Sequence, residues 1–344
     1  MSQHNNKLTL RFRSYDLELI HVFAVSGFSR KTSPVVLVEI EYDGVVGYGE
    51  ASVPPYLREG RDSVLEFLGK VDLGRFYYPL QISDILDYID RLSPANYAAK
   101  ASLDIALHDL SGKLLQQPLY KLWGLNPQNT PYTSITLGMD SPENMEQKAA
   151  EAADSKFLKI KLGGNQDKEM IHAVRSVTDK PLYVDVNQGW TDKHQALEMI
   201  HWLKEQEVVM IEQPMPVEAI DDMAWLTQHS PLPTVADEAV QGAGDLEKVA
   251  GVYNGINIKL MKCGGLLEAR KMIETAKDYQ LEVMIGCMVE TSCAVSAAAH
   301  LSPLARWCDL DGNLLISNDL FRGVTLQKGK IILPEGPGIG VVKL

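Results

Sequence analysis

From about residue 131 the chain repeats a short apolar strand eight times, with helical stretches between the copies. The strand segments are TSITLG, FLKIKLG, LYVDVNQ, VVMIEQP, TVADEA, INIKLM, EVMIGCM and RWCDLD. One residue near each C-terminal end (Thr136, Lys161, Asp185, Glu212, Asp237, Lys259, Cys287 and Asp309) gives steps of 25, 24, 27, 25, 22, 28 and 22 residues. Parallel neighbours must be joined by a crossover of a dozen or more residues, normally a helix, and eight such strands close into a barrel. The expected fold is therefore α/β, a modified TIM barrel of (β/α)7β type.

The residues before the barrel read differently. LTLRFR, DLELIHVF, VVLVEIEY and VVGYGEA alternate like strands of an antiparallel meander, with turns such as YDG between them. RDSVLEFLGKV, ISDILDYIDRL and AAKASLDIALHDLSGKLL then switch to helical spacing. Strands followed by helices predict an α+β capping domain over residues 1–125, ahead of a barrel over 126–320. Residues 321–344 contain VTLQKGKIILP, a hairpin expected to pack back on the capping domain.

Composition narrows the partners. With 33 basic against 45 acidic residues the net charge is −12, and no Lys/Arg run stands out. That balance argues against nucleic acid or an anionic membrane and leaves a small molecule as the expected partner, with a homo-oligomer compatible. The polar, basic start MSQHNNKLTLRFR has no apolar core, so no signal peptide is expected, and no apolar run approaches the ~20 residues of a membrane span. Cys263, Cys287, Cys293 and Cys308 have no CxxC spacing and read as free thiols of a reducing, cytoplasmic compartment.

Three acids stand at the ends of consecutive barrel strands: Asp185 in VDVNQGW, Glu212 in IEQP and Asp237 in ADEA. Strand ends at this face point into the mouth where barrel active sites form. Converging carboxylates repel unless a cation sits among them, and an all-oxygen set favours a hard divalent ion such as Mg²⁺. The bland alternative, that each acid caps its following helix, explains one such residue more easily than three in equivalent positions.

Lys159 and Lys161 form K-x-K on the second strand and so face the same way, while Lys259 ends the sixth. The second and sixth of eight strands are diametrically opposite, with the acid-bearing strands arcing between them. The mouth thus offers a base to each face of a substrate, which suits removing a proton from one side and returning it from the other. Lys159 beside Lys161 can lower a lysine pKa by like-charge repulsion. Read otherwise these lysines are a solvated strand face, which a buried barrel strand tolerates poorly. Asp309 and Asp311 in CDLDGNLL again share a side and could grip an ammonium group by charge-assisted hydrogen bonds, or simply begin a polar Asp-Gly turn. Thr136 and Cys287 could line the pocket or pack the core. LGG at 162–164 and CGG at 263–265 are only superficially like phosphate-binding turns, and His172, His194, His201, His229 and His300 show no metal spacing.

Together, K-x-K, the DxN, EQP and ADE acids and the lysine of the sixth strand resemble the muconate-lactonizing subgroup of the enolase superfamily, over essentially the whole chain including GYGEA at 47–51. DLDG at 309–312 with INIKLMKCGG is similar to the dipeptide epimerases, above all the L-Ala-D/L-Glu type. The resemblance implies one Mg²⁺ per subunit at Asp185, Glu212 and Asp237. It implies acid/base roles for Lys161 and Lys259, a supporting role for Lys159, and contacts from Asp309 and Asp311 to the dipeptide ammonium. Thr136 and Cys287 fall where the family contacts substrate. One departure stands out: where that type carries an arginine for the glutamate side chain this chain has Phe28, with Arg30 two residues on as the candidate. N-acylamino acid racemisation, o-succinylbenzoate synthesis and muconate cycloisomerisation are the other reactions of this scaffold, but their substrates would leave Asp309 and Asp311 without an ammonium. A non-catalytic binding protein would not need two opposed bases.

Overall fold

The computed structural model describes residues 7–25, 28–53 and 59–344. The first six residues of the polar start discussed above, and the side chain of Phe28, lie outside this description. Strands β1 (Thr9–Val25), β2 (Phe28–Tyr42) and β3 (Val45–Ser52) form an antiparallel sheet in that order. LTLRFR and DLELIHVF, separate strands by sequence, are one continuous strand. The intervening Ser14 and Tyr15 stay in register with Val36 and Val35, and no turn-forming Gly or Pro interrupts them. Asp43 and Gly44 both take positive φ in the tight turn between β2 and β3.

Helices α1 (Arg61–Leu68), α2 (Ile82–Asp90) and α3 (Tyr97–Leu114) cover the sheet, and α3 is buried along most of its length. Its close approach to β3 explains the glycines of GYGEA. A Cβ on Gly47 would lie 2.1 Å from the Ala106 carbonyl oxygen, and one on Gly49 would lie 1.9 Å from that of Ser102. A one-turn helix, α4 (Leu119–Leu122), leads toward the barrel.

The barrel strands are β4 (Ser134–Leu137), β5 (Phe157–Lys161), β6 (Leu182–Asp185), β7 (Val208–Glu212), β8 (Thr234–Ala236), β9 (Gly255–Ile258), β10 (Glu282–Gly286) and β11 (Trp307–Asp309). They pair in parallel in chain order, and a parallel bridge between Thr133 and Cys308 brings the last strand against the first. Every residue of β6, β8 and β9 is buried, as expected for strands covered on both faces. The returns are α5 (Pro142–Glu151), α6 (Asp167–Val177), α7 (Lys193–Glu205), α8 (Ile220–His229), α9 (Leu246–Val249), α10 (Leu260–Cys263) with α11 (Leu266–Asp278), and α12 (Ser292–Ala299). Only a 3₁₀ turn follows β11, which makes the ring (β/α)7β.

Two short ribbons finish the chain: β12 (Phe321–Arg322) pairs with β15 (Val342–Lys343), and β13 (Thr325–Gln327) with β14 (Lys330–Ile332). Their contacts divide between cap and barrel. Ile339 N–H donates to Asp109 on α3 at 2.9 Å and Lys343 to Glu39 on β2 at 2.5 Å, while Thr133 N–H before β4 donates to the Gly329 carbonyl at 2.9 Å.

Two cap carboxylates seat this domain on the barrel mouth by capping barrel helices. Asp104 of α3 accepts the N–H groups of Leu266 (2.7 Å) and Leu267 (3.2 Å) at the start of α11. Glu50 of β3 accepts Thr291 N–H (2.9 Å) at the N-cap of α12. An acid at a helix N-terminus satisfies orphan donors and complements the helix dipole. Among the described residues no helix is long and apolar enough to cross a membrane.

Candidate active site

The alternation of β5 puts Lys159 and Lys161 on the inner side of the ring, and register does the rest. Lys161 pairs with Asp185, and Asp185 with Glu212, so the three side chains share one layer at the C-terminal end. Asp237 follows β8 directly. Asp185, Glu212 and Asp237 are all buried, and each offers an oxygen within 4.8 Å of the others. A Mg²⁺ ion binds oxygens at ~2.0–2.1 Å, so a slight inward adjustment of these carboxylates suits such an ion.

Lysines offset this charge. Lys159 is wholly buried, 2.6 Å from Asp309 Oδ2, 2.7 Å from Glu212 Oε2 and 3.1 Å from Asp185 Oδ2. The approach to Glu212 Oε2 is close in distance but off the hydrogen-bonding direction, so it is an ion pair only. Burial alone would depress the Lys159 pKa. Asp309, Glu212 and Asp185 outweigh it and hold the pKa well above the ordinary lysine value. Lys159 is a fixed ammonium linking two groups of acids. Lys161 Nζ donates to Asp185 Oδ2 at 2.5 Å, and Lys259, at the N-cap of α10 just past β9, donates to Asp237 Oδ2 at 2.7 Å. The two stand on strands four apart in the ring, with the triad between them.

The acids titrate unequally. Burial and the neighbouring Asp185 charge push Glu212 up to about 7. Burial would also raise Asp185 and Asp237, but Lys161 and Lys159 lower the first, and Lys259 and Lys262 hold the second well below the usual range.

On the remaining arc, Asp309 Oδ1 accepts Ser134 Oγ–H (2.8 Å) and Thr136 Oγ1–H (3.3 Å), and Asp311 Oδ2 accepts Thr136 N–H (2.5 Å). Lys159 ties Asp309 to Asp185 and Glu212. Burial and the Asp309 charge push Asp311 up to about 7. Thr136 serves both acids, while Cys287 accepts the Gly312 N–H (3.3 Å) and steadies the turn after β11. Arg30 is half-buried on β2, opposite Phe23 beyond the bulge that follows Glu18 on β1.

Five polar residues that hold the site in place were not singled out by sequence. Asn257 Nδ2 donates to Glu212 Oε1 at 2.8 Å. Gln213 Oε1 accepts the N–H groups of Asp237 (2.9 Å) and Ala239 (3.2 Å), while its Nε2 donates to Tyr253 Oη (2.7 Å). Asn187 Nδ2 donates to Glu238 Oε1 at 3.1 Å. Lys262 Nζ donates to Asp237 Oδ1 and to the Asp237 carbonyl, each at 2.6 Å. For three of them the signal was present: Asn187, Gln213 and Glu238 are the second polar letters of DxN, EQP and ADE. Asn187 and Gln213 also take positive φ (46° and 36°), strained for non-glycine residues and characteristic of functional sites.

The discounted features stay structural. Gly163 N–H caps back to Asp167, and Gly265 leaves room for Asp104, whose Cγ would lie 2.5 Å from an added Cβ. His300 is fully buried and stacks on Tyr120. All four cysteines are free.

Residues 144–342 match the family described as Enolase C-terminal domain-like, and residues 12–124 match that described as Mandelate racemase / muconate lactonizing enzyme, N-terminal domain. The L-Ala-D/L-Glu epimerase of Bacteroides thetaiotaomicron is 57% identical over 98% of this chain and 88% of its own. A dipeptide epimerase from Enterococcus faecalis V583, solved with Mg and L-Leu-L-Tyr, superposes with a TM-score of 0.89 at 32% identity, over 97% of this chain and 99% of that one. A substrate-liganded L-Ala-D/L-Glu epimerase from Bacillus subtilis superposes with a TM-score of 0.90 at 29% identity, over 98% and 99%.

Proposed function

This chain belongs to the enolase superfamily, in the family of mandelate racemase and muconate lactonizing enzyme, and from that premise we propose that it is an isomerase, a Mg²⁺-dependent dipeptide epimerase. It inverts the α-carbon of a dipeptide's C-terminal residue, with L-Ala-L-Glu and L-Ala-D-Glu as the pair. The observation that carries this reading is the placement of Lys161 and Lys259 on opposed strands with the buried Asp185, Glu212 and Asp237 triad between them.

The three carboxylates would hold the Mg²⁺, which when bound supplies the positive charge that stabilises an enediolate. One lysine takes the α-proton from one face and the other returns a proton to the opposite face, and each exchanges roles for the reverse reaction. Which lysine serves which stereoisomer follows from the side each occupies. Lys159, held charged among Asp309, Glu212 and Asp185, adds a permanent positive charge to the same layer. Asp309 and Asp311 accept the dipeptide ammonium, and Thr136 orients both acids. Arg30 is the candidate for the glutamate side chain, and Cys287 shapes the wall beside Asp311.

NMR of L-Ala-L-Glu in D₂O tests this directly. Metal-stripped protein should leave the glutamate α-proton untouched, and added Mg²⁺ should restore both deuterium uptake and inversion. Undiminished exchange in excess chelator would exclude the metal. Turnover of N-acylated amino acids in preference to free dipeptides would replace the dipeptide reading with a racemase one.

A further inference from the structure

Lys262 is buried at 4% exposure, one turn beyond Lys259 on α10, and its ammonium has three acceptors. They are Asp237 Oδ1 (2.6 Å), the Asp237 carbonyl (2.6 Å) and the Asn257 carbonyl (3.0 Å). A lysine ammonium carries three N–H donors, so these contacts use them all. One acceptor is a side-chain oxygen and one the main-chain oxygen of the same residue, which fixes both the backbone and the side chain of Asp237. The third ties that grip to β9, where Asn257 also donates to Glu212 Oε1 (2.8 Å). Lys262 and Asn257 together therefore brace two of the three carboxylates from β9 and the helix that follows it.

We propose that Lys262 is a positioning residue that sets the orientation of Asp237, leaving Oδ2 on the side of Lys259, and through that orientation sets the affinity of the triad for its divalent cation. This rests on the reading of Asp185, Glu212 and Asp237 as the cation's ligands. Two effects of removing Lys262 oppose each other. Deleting a positive charge beside the triad would by Coulomb attraction tighten a divalent ion. Releasing Asp237 from its single orientation loosens it, because residues that orient metal ligands typically govern about 10- to 100-fold in affinity. Water reaches so buried a site poorly and could not replace three donors on one nitrogen, so orientation dominates.

The test is Mg²⁺ titration calorimetry on the metal-stripped full chain, with thermal melting run beside it. Lys262→Met should weaken Mg²⁺ binding about 10- to 100-fold. Lys262→Arg, which keeps the charge but cannot converge one nitrogen on three acceptors, should weaken it in the same direction. A folded Lys262→Met protein whose affinity is unchanged or tighter would overturn the proposal, as would a lowered melting temperature with unchanged affinity. If the methionine variant does not fold, the arginine variant decides alone, and unchanged affinity in it overturns the proposal. A wild-type protein that binds no Mg²⁺ would instead remove the metal reading itself, and this inference with it.

Discussion

Asp311 offers the sharpest test of how the substrate is recognised. It is 3% exposed, with Oδ2 engaged by the Thr136 N–H, and burial together with the Asp309 charge pushes its pKa up to about 7. A hydrogen bond between a charged pair contributes about 1.5–3 kcal/mol. At 1.36 kcal/mol per decade, that is about 10- to 150-fold in kcat/KM. N-acetylating L-Ala-L-Glu should lose that factor in the wild type, and Asp311→Asn should shrink the difference between the two substrates toward unity. The pH dependence follows from the raised pKa. Below about pH 7 Asp311 takes up a proton, so selectivity for the free dipeptide should fall as pH drops, by up to tenfold per unit. Above about pH 8 the dipeptide amine itself loses its proton, and selectivity should fall again. Asp309→Asn removes a charge that raises Asp311, so the acid limb should move to lower pH. The assay is kcat/KM for both substrates from pH 5.5 to 9, followed by chiral chromatography. Taking the ratio of the two cancels any pH effect on the reaction that both substrates share. A coupling below about threefold, or a ratio flat across pH 7, would refute the assignment.

The other expectations concern the bases, the cap and the second residue of the dipeptide. Lys161→Ala and Lys259→Ala should each lower epimerisation at least about 100-fold, the usual range for a lost acid/base group. The lysine that remains still faces the α-proton of one stereoisomer, so exchange of that proton with D₂O is compatible with the mechanism, whereas near wild-type inversion by either variant would end it. Glu290 is buried near Glu50, and burial then the Glu50 charge push it up to about 8. Its raised pKa makes its contribution to stability full below about pH 4.5 and lost as pH rises through about 8, a span of roughly 4–5 kcal/mol. Glu290→Gln keeps an acceptor for the Met288 N–H (3.1 Å), so its melting temperature should decline less between pH 5 and 8.5 than the wild type's. Identical slopes would show that Glu290 does not carry that charge. Arg30→Met should hurt L-Ala-L-Glu far more than L-Ala-L-Leu, and equal losses would clear Arg30 of the side-chain contact.

What the sequence determined by itself was whatever depends on period and spacing. A step of about 25 residues between strand ends specifies a parallel ring, because a helix must return the chain each time. Two-residue alternation places Lys159 and Lys161 on one side, and the strand count places Lys259 opposite. The acids of DxN, EQP and ADE were legible because a carboxylate at a strand end has only the mouth to face. The strand break inside β1 was misread because local pattern cannot tell a turn from a polar stretch that pairing keeps extended.

Contacts between residues remote in sequence were decided only by the tertiary structure. Lys159 joins Asp309, 150 residues away in sequence, to Asp185 and Glu212, so Asp309 belongs to the same ionic network as the triad. Asn257 and Lys262 carry no catalytic spacing, and their roles exist because the fold brings an amide and an ammonium donor against the carboxylates. Asp104 and Glu50 are likewise unremarkable in a helix and a strand until the fold sets each at the start of a barrel helix. Periodicity fixes which face a residue occupies, since that follows from backbone geometry alone. The partner it meets there depends on how distant segments pack, and that the pattern does not contain.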